Sequence, residues 1–84
     1  MKLLIENLNS YTSSQDLSYL LGDLKGFITS WIKRDQYGTS EGFGYARFES
    51  PSEGRKAINR CNGMRMHGKK VKISPIKETP LFIT

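Results

Sequence analysis

Residues Glu41–Phe48, with the sequence EGFGYARF, hold three aromatic rings and two glycines within eight residues. The pattern is typical of a β-strand, in which residues two apart point to the same face of a sheet. Phe43 and Tyr45 then share one face, and Phe48 lies on the other face with Ala46. One set of rings can fill a core, whereas a cluster of exposed rings usually marks a binding surface.

The composition indicates one small globular domain that favours an anionic partner. The chain has 84 residues, 37% hydrophobic and 25% charged, and a formal net charge of +5. A length of this order suits a single domain with one modest core. The positive charge favours nucleic acid or an anionic membrane surface as a partner.

Two residue types limit the chemistry that the chain can perform. Cys61 is the single cysteine and His67 the single histidine, so neither an intrachain disulfide nor a cysteine zinc site is expected. No nucleophile–base pair stands out, and we expect no enzyme, no cofactor and no metal. The apolar run in the opening MKLLIENLNS is broken by Glu6 and Asn7, so it is too short for a signal peptide. No segment approaches the roughly 20 apolar residues of a membrane span. The expected setting is cytoplasmic, with a nuclear or organellar one as the alternative, and without a membrane partner.

The first half of the chain predicts a strand, a helix and a second strand. Lys2–Glu6 alternates as a short strand, and Ser13 or Ser14 caps the helix that follows. The helix turns four leucines inward at helical spacing: Leu17, Leu20, Leu21 and Leu24. Gly26 ends the helix, and Phe27–Arg34, rich in β-branched and aromatic residues, forms the second strand.

The second half predicts a strand, a helix and a strand. Gly42–Glu49 forms the third strand after a loop. Ser50–Pro51 then starts a helix, with Glu53 placed for a capping box, and Asn62–Gly63 ends it. Three of its residues face inward: Ala57, Ile58 and Cys61. Lys70–Ser74 alternates as the last strand.

The order β-α-β-β-α-β predicts the α+β ferredoxin-like fold, a four-stranded antiparallel sheet with two helices on one face. Six residues should point toward the helices: Leu3, Ile5, Ala46, Phe48, Val71 and Ile73. Five should point to the opposite, open face: Leu4, Phe43, Tyr45, Arg47 and Lys72. Strict alternation adds Phe27, Thr29, Trp31 and Lys33 to the open face. A bulge in the second strand would instead turn Trp31 inward.

Two stretches on the predicted strands resemble the signatures of the RNA-recognition motif family. The longer signature, K/R-G-F/Y-G/A-F-V-x-F/Y, is matched on the third strand by four residues: Gly42, Phe43, Gly44 and Phe48. Tyr45 keeps the ring and Ala46 is smaller than the usual valine. Glu41 reverses the charge of the usual basic residue, which in the family commonly pairs with a phosphate.

The shorter signature of the family lies on the first strand, as Leu3–Leu8 (LLIENL). Only Leu4 departs from it, where the family usually has a stacking ring. The stretch AINRCNGMRMHGKKVKI, residues 57–73, resembles the family's second helix, the turn after it and the fourth strand. The resemblance covers residues 1–76, which we take as the domain, and leaves 77–84 as a C-terminal tail.

The resemblance implies a non-catalytic module that binds single-stranded RNA on the open face. Exposed rings stack on unpaired bases and basic side chains hold phosphates. Carried onto this sequence, the implied RNA-binding residues are Lys2, Leu4, Asn7, Trp31, Lys33, Phe43, Tyr45, Arg47 and Lys72. With no ring at Leu4, weaker or less specific binding is expected.

Other interpretations of the same residues stay open at this point. The tail, through Leu81, Phe82 and Ile83, is long enough to cover the rings of the sheet. The domain could instead bind a protein partner, as some relatives of this fold do, with little or no affinity for RNA. The chain resembles small stand-alone members of the family, expected as a monomer or weak homodimer, but equally one piece of a longer protein.

Overall fold

The computed structural model describes residues 1–76 and confirms the α+β ferredoxin-like prediction. Its elements are β1 (Lys2–Glu6), α1 (Ser14–Leu21), β2 (Phe27–Arg34), β3 (Ser40–Phe48), α2 (Pro51–Cys61), β4 (Arg65–Met66), β5 (Lys69–Lys70) and β6 (Lys72–Ile76). Four strands form an antiparallel sheet in the order β2-β3-β1-β6, and β4 and β5 form a separate two-stranded hairpin. The predicted tail, 77–84, lies outside the described residues. Within residues 1–76, neither helix has the length and apolar character needed to cross a membrane.

Helix α1 starts at a complete capping box. The Ser13 hydroxyl accepts a hydrogen bond from the Asp16 backbone N–H at 3.2 Å, and the Asp16 carboxylate accepts one from the Ser13 N–H at 2.9 Å. This backbone N–H, together with the nearby His67 ring, lowers the pKa of Asp16 below its usual value. The helix ends at Leu21 with Gly22 as its C-cap, so the predicted end at Gly26 is wrong.

The two cap residues of α2 were predicted correctly, but the predicted capping box is incomplete, because the Glu53 carboxylate accepts a hydrogen bond from the Ser50 hydroxyl at 3.0 Å and not from the Ser50 backbone N–H. Ser50 is the N-cap and its hydroxyl accepts a hydrogen bond from the Glu53 backbone N–H at 3.3 Å, while Pro51 takes the first helical position. Asn62 caps the C-terminal end. The Asn62 side-chain oxygen also accepts a hydrogen bond from the Ile73 N–H at 2.8 Å, which ties the end of α2 to β6.

One core lies between the helices and the sheet. Its buried apolar residues are Leu3, Ile5, Leu8, Leu17, Leu21, Ile32, Ala46, Phe48, Ala57, Cys61, Val71 and Ile73. All six residues predicted on the helix side of the sheet are therefore buried. Leu20, Leu24 and Ile58 are partly buried against this core, as their predicted inward positions require. Burial raises the pKa of the Cys61 thiol.

A bulge in β2 corrects the strict alternation predicted for that strand. The pairing with β3 shifts register between Phe27 and Thr29, and Ile28 is 53% exposed. Phe27, predicted on the open face, instead packs edge-on against Phe48 with ring centroids 5.8 Å apart. This bulge precedes Trp31, and the pairing is regular from Thr29 to Ile32, so Trp31 stays on the open face. A second register shift follows between Ile32 and Arg34.

Two strand boundaries also differ from the prediction. Strand β3 begins at Ser40, not at Gly42, because Ser40 already pairs with Arg34 of β2. The predicted last strand, Lys70–Ser74, is divided: Lys70 closes the β4–β5 hairpin, and the sheet strand β6 starts at Lys72. The predicted inward side of this segment is confirmed, since Val71 and Ile73 are both buried.

Candidate functional site

The strand register aligns one row of side chains across the open face of the sheet. Leu4 of β1 pairs with Tyr45 of β3 on one side and with Ser74 of β6 on the other. Tyr45 pairs in turn with Trp31 of β2. Directly paired residues point to the same face, so this row runs from Trp31 to Ser74 across all four strands.

Three aromatic side chains form a contiguous ring cluster, made of Trp31, Phe43 and Tyr45. The Trp31 and Tyr45 rings lie 5.4 Å apart between centroids at an interplanar angle of 34°. Phe43 meets Tyr45 edge-on at 5.9 Å and 85°. None of the three side chains is fully buried, because the helices cover the opposite face. Apolar ring surface is therefore presented to solvent on the open face.

Gly44 makes the close approach of β2 and β3 possible. A Cβ atom at Gly44 would collide with the Trp31 carbonyl oxygen and lie 3.2 Å from the Ile32 Cα. The pairing that brings Trp31 beside Tyr45 thus depends on the absence of a side chain between Phe43 and Tyr45. Gly44 of the longer signature is therefore needed for the packing of β2 against β3, whether or not RNA binds.

Lys2 places a positive charge over the ring cluster. Its Nζ lies 4.5 Å from the centroid of the Tyr45 ring and 5.5 Å from that of Trp31, which are cation–π distances. Lys2 pairs with Arg47 of β3, and Arg47 pairs with Thr29 of β2, so a second row on the open face carries two cations. Arg47 is exposed.

Glu41, which reverses the charge of the usual basic residue in the longer signature, has an ion-pair partner on β2. Its carboxylate forms an ion pair with the Lys33 ammonium at 3.1 Å, with the two side chains 41% and 50% exposed. Lys33 was predicted as a phosphate contact, yet its charge is locally balanced. The sequence shows that Glu41 departs from the signature, but it does not predict Lys33 as the ion-pair partner. The two residues meet because β2 and β3 are neighbouring strands.

The other two predicted site residues lie near the edge formed by β6. Asn7 has a left-handed backbone (φ +62°), and its side-chain nitrogen donates a hydrogen bond to the Lys70 carbonyl oxygen at 2.8 Å. Asn7 therefore joins the end of β1 to the β4–β5 hairpin. Lys72 is exposed and pairs with Glu6 of β1.

The structure thus gathers part of the predicted set at one place. Five residues form or adjoin the centre of the open face: Lys2, Leu4, Trp31, Phe43 and Tyr45. Arg47 flanks them, and Lys33, Lys72 and Asn7 lie toward the borders of the sheet. Across residues 1–76 the His, Cys, Asp and Glu side chains form no group of three that could hold a metal ion.

Comparison with known proteins agrees with the fold. The family model described as RNA recognition motif matches residues 3–72. A polyadenylate-binding protein, cytoplasmic and nuclear, of Candida glabrata is 29% identical over 73 residues, which are 87% of this chain and 13% of that protein. The chain therefore spans only a small part of that relative.

Solved structures show the same fold. The second RNA recognition motif domain of yeast poly(U)-binding protein superposes with a TM-score of 0.87 at 21% identity. The match covers 94% of this chain and 96% of that one. The Sxl-lethal protein in a complex with RNA gives a TM-score of 0.85 at 25% identity, covering 95% of this chain and 48% of that one. With the family model matched over most of the sheet and both helices, the chain belongs to the RNA recognition motif family.

Proposed function

We propose that this domain binds single-stranded RNA on the open face of its sheet, without catalysis. The observation that carries the proposal is the ring cluster of Trp31, Phe43 and Tyr45, partly exposed on that face with the Lys2 ammonium above it. Unpaired bases stack on such rings, and each stack is worth roughly 1–3 kcal/mol. The proposed ligand is single-stranded because bases in a duplex are already stacked and paired.

The position of the rings suggests how the bases lie. Leu4 supplies apolar contact at the place on β1 where the family usually has a ring, while Trp31 on β2 adds a ring on the other side of Tyr45. The stacking surface is therefore centred on β3 and β2. We expect the bases to follow Trp31, Tyr45 and Phe43, with less contact over β1.

Cations on the same face supply the phosphate contacts. Lys2 and Arg47 are paired across β1 and β3, and Lys72 lies at the β6 edge. Binding is accordingly salt-dependent, with log K falling by about 0.7 per phosphate contact for each tenfold rise in salt. Lys33 contributes less than its position suggests because Glu41 is its ion-pair partner.

The relatives support this assignment. The Candida glabrata relative is by its name a polyadenylate-binding protein of the cytoplasm and nucleus, and the Sxl-lethal neighbour was solved with RNA. By analogy we place this protein in the cytoplasm or nucleus. One such domain contacts only a few nucleotides, so we expect its affinity for RNA to be modest. We also expect the protein to be a monomer or a weak homodimer.

Replacing one ring tests the proposal. Tyr45→Ala should weaken binding of a short single-stranded RNA by about 5-fold or more, as expected for one lost stack, measured by fluorescence anisotropy at low salt. Tyr19→Ala is the matched control, because Tyr19 is 91% exposed on α1, on the covered side of the sheet.

Equal affinities of Tyr45→Ala, Tyr19→Ala and the unmodified protein would contradict binding at the ring cluster. If the unmodified protein binds no RNA at low salt and a protein co-purifies with it, the alternative of a protein-interaction domain replaces the proposal.

A further inference from the structure

The positive charge of the chain is concentrated away from the ring cluster. Residues 54–77 hold eight of the thirteen Lys and Arg residues and none of the eight Asp and Glu residues. Seven of these cations lie on α2, on the β4–β5 hairpin and on β6, and the eighth, Lys77, lies outside the described residues. The remaining part of the chain contains more acidic than basic residues. The attraction of the protein for a polyanion is therefore strongest beside the sheet face, not at its centre.

The β4–β5 hairpin, residues 65–70, presents part of this charge on a fixed turn. His67 and Gly68, the two residues of the turn, have positive φ angles of 50° and 81°. Two successive left-handed residues define the type I′ turn, whose twist matches that of the flanking strands. The hairpin is a regular element whose side chains take defined directions.

Contacts with the β1–α1 loop hold the hairpin in place. The Asn9 and Asn7 side-chain amides donate hydrogen bonds to the carbonyl oxygens of His67 (3.2 Å) and Lys70 (2.8 Å). The His67 Nε2 lies 3.1 Å from the Asp16 carboxylate at the start of α1, and Met66 packs against the core. The cations of the hairpin are therefore pre-positioned relative to the sheet.

The hairpin places two like charges directly opposite one another. Arg65 and Lys70 are a cross-strand pair and both are exposed. Such a pair destabilises a hairpin, and within residues 1–76 neither side chain forms an ion pair with a carboxylate. An anion lying between them would remove this repulsion.

The Arg65–Lys70 side of the hairpin is turned away from the core. Met66 packs against the core and pairs with Lys69, so the neighbouring pair, Arg65 and Lys70, lies on the opposite face of the hairpin. Within β6, Ile73 is buried toward the helices, so Lys72 points to the open face of the sheet. Lys72 pairs with Glu6 of β1. The β1–β3 pairing ends at Ile5 and Gly44, the residues that adjoin Glu6 on β1 and Phe43 on β3. A path along the open face therefore leads from Phe43 past Lys72 to the hairpin.

We propose that the β4–β5 hairpin is a second phosphate-binding element, which holds the backbone of an RNA strand after it leaves the ring cluster. Arg65 and Lys70 bind phosphate oxygens, and Lys72, on the β6 edge of the sheet, lies between them and the ring cluster. This inference rests on the proposed function, since it extends the RNA path from the open face. It implies that affinity rises with RNA length beyond the nucleotides that the rings contact.

The experiment compares RNA lengths and matched pairs of cations. The probe is whichever of oligo(A), oligo(C) and oligo(U) the unmodified protein binds most tightly, at about four and about ten nucleotides, because such a sheet stacks only two or three bases. The test variant is Arg65→Gln/Lys70→Gln. The control is Arg55→Gln/Lys56→Gln, which removes the same charge from exposed positions of α2.

For the longer RNA, the hairpin variant should bind about 5-fold or more weakly, and its salt slope should fall by about 1.4, two phosphate contacts at about 0.7 each. Its affinity for the shorter RNA should match that of the control. Its melting temperature should not fall, since the variant removes a repulsion. These results together support the hairpin site.

An equal loss in the hairpin and α2 variants, or an equal loss for both RNA lengths, would overturn the inference and leave only general charge attraction. Failure of the proposed function looks different: Tyr45→Ala would then bind the shorter RNA as tightly as the unmodified protein, whatever the hairpin variant does.

Discussion

Leu4 is the residue at which this domain departs most from the stacking surface of its family. It lies on the open face, opposite Tyr45 and beside Ser74, and it is only partly buried. Tyr45 of the ring cluster lies directly beside Leu4 on the neighbouring strand. A ring at this position would extend the cluster from β3 onto β1.

Leu4→Phe should therefore tighten RNA binding. One added base stack is worth roughly 1–3 kcal/mol, or about 5- to 150-fold in affinity. Isothermal titration with the same short RNA, on the variant and the unmodified protein, measures the change. Unchanged affinity in a folded variant would show that bases do not reach β1 and would confine the stacking path to β3 and β2.

Sequence reasoning at single positions succeeded where alternation alone decides. The face of Leu4, Phe43, Tyr45 and Phe48 follows from a period of two, and each lies where that period predicts. Contacts between side chains were not predictable in this way. That Lys2 reaches over the Tyr45 ring depends on the register of β1 against β3, which the sequence does not state.

Strands β2 and β3 position both the rings and the ion pair that limits the charge near them. The bulge at Ile28 lets Phe27 enter the core while Trp31 remains beside Tyr45. The Lys33–Glu41 ion pair lies toward the loop that joins the two strands. These features place the rings on β2 and β3 and balance the charge of Lys33, whereas Arg34 at the end of β2 is exposed and forms no ion pair among residues 1–76.

Glu41→Gln should strengthen RNA binding by releasing Lys33. The salt slope should steepen by about 0.7, the value for one further phosphate contact on a single strand. Glu49→Gln is the control, because it makes the same change of charge at an exposed residue just after β3. Affinities of the two variants measured over a series of salt concentrations separate the effects. If both variants gain equally, the ion pair has no specific influence on RNA binding.

The elements that sequence reasoning misplaced share a physical cause. Helix α1 ends at Leu21 although Leu24 still packs against the core, because Leu24 lies in a turn whose N–H bonds to the Leu21 carbonyl. An apolar period of 3.6 does not distinguish a further helical turn from such a loop. The β4–β5 hairpin was hidden for a similar reason, since Lys70–Ser74 alternates continuously across the boundary between hairpin and sheet.

Across the domain, stacking and charge occupy two adjoining regions. The ring cluster lies over β2 and β3, and the exposed cations without ion-pair partners among residues 1–76 are mostly on α2, the hairpin and β6. The architecture was predictable because the order of four strands and two helices, and the six inward residues on three of those strands, all indicate one fold. The separation of the ring cluster from most of the exposed cations was not predictable, since it depends on where β6 and the β4–β5 hairpin lie in space.

An NMR titration of ¹⁵N-labelled protein with a short single-stranded RNA at low salt tests whether the open face is the RNA-binding surface. Shifts should concentrate on the amides of the open-face strands, with the largest at Leu4, Trp31, Phe43 and Tyr45, and extend to Lys72. The amides of α1, including that of Tyr19, should change little. Shifts confined to the basic helix α2, or none at all, would contradict binding at the ring cluster and indicate that the rings serve a different contact.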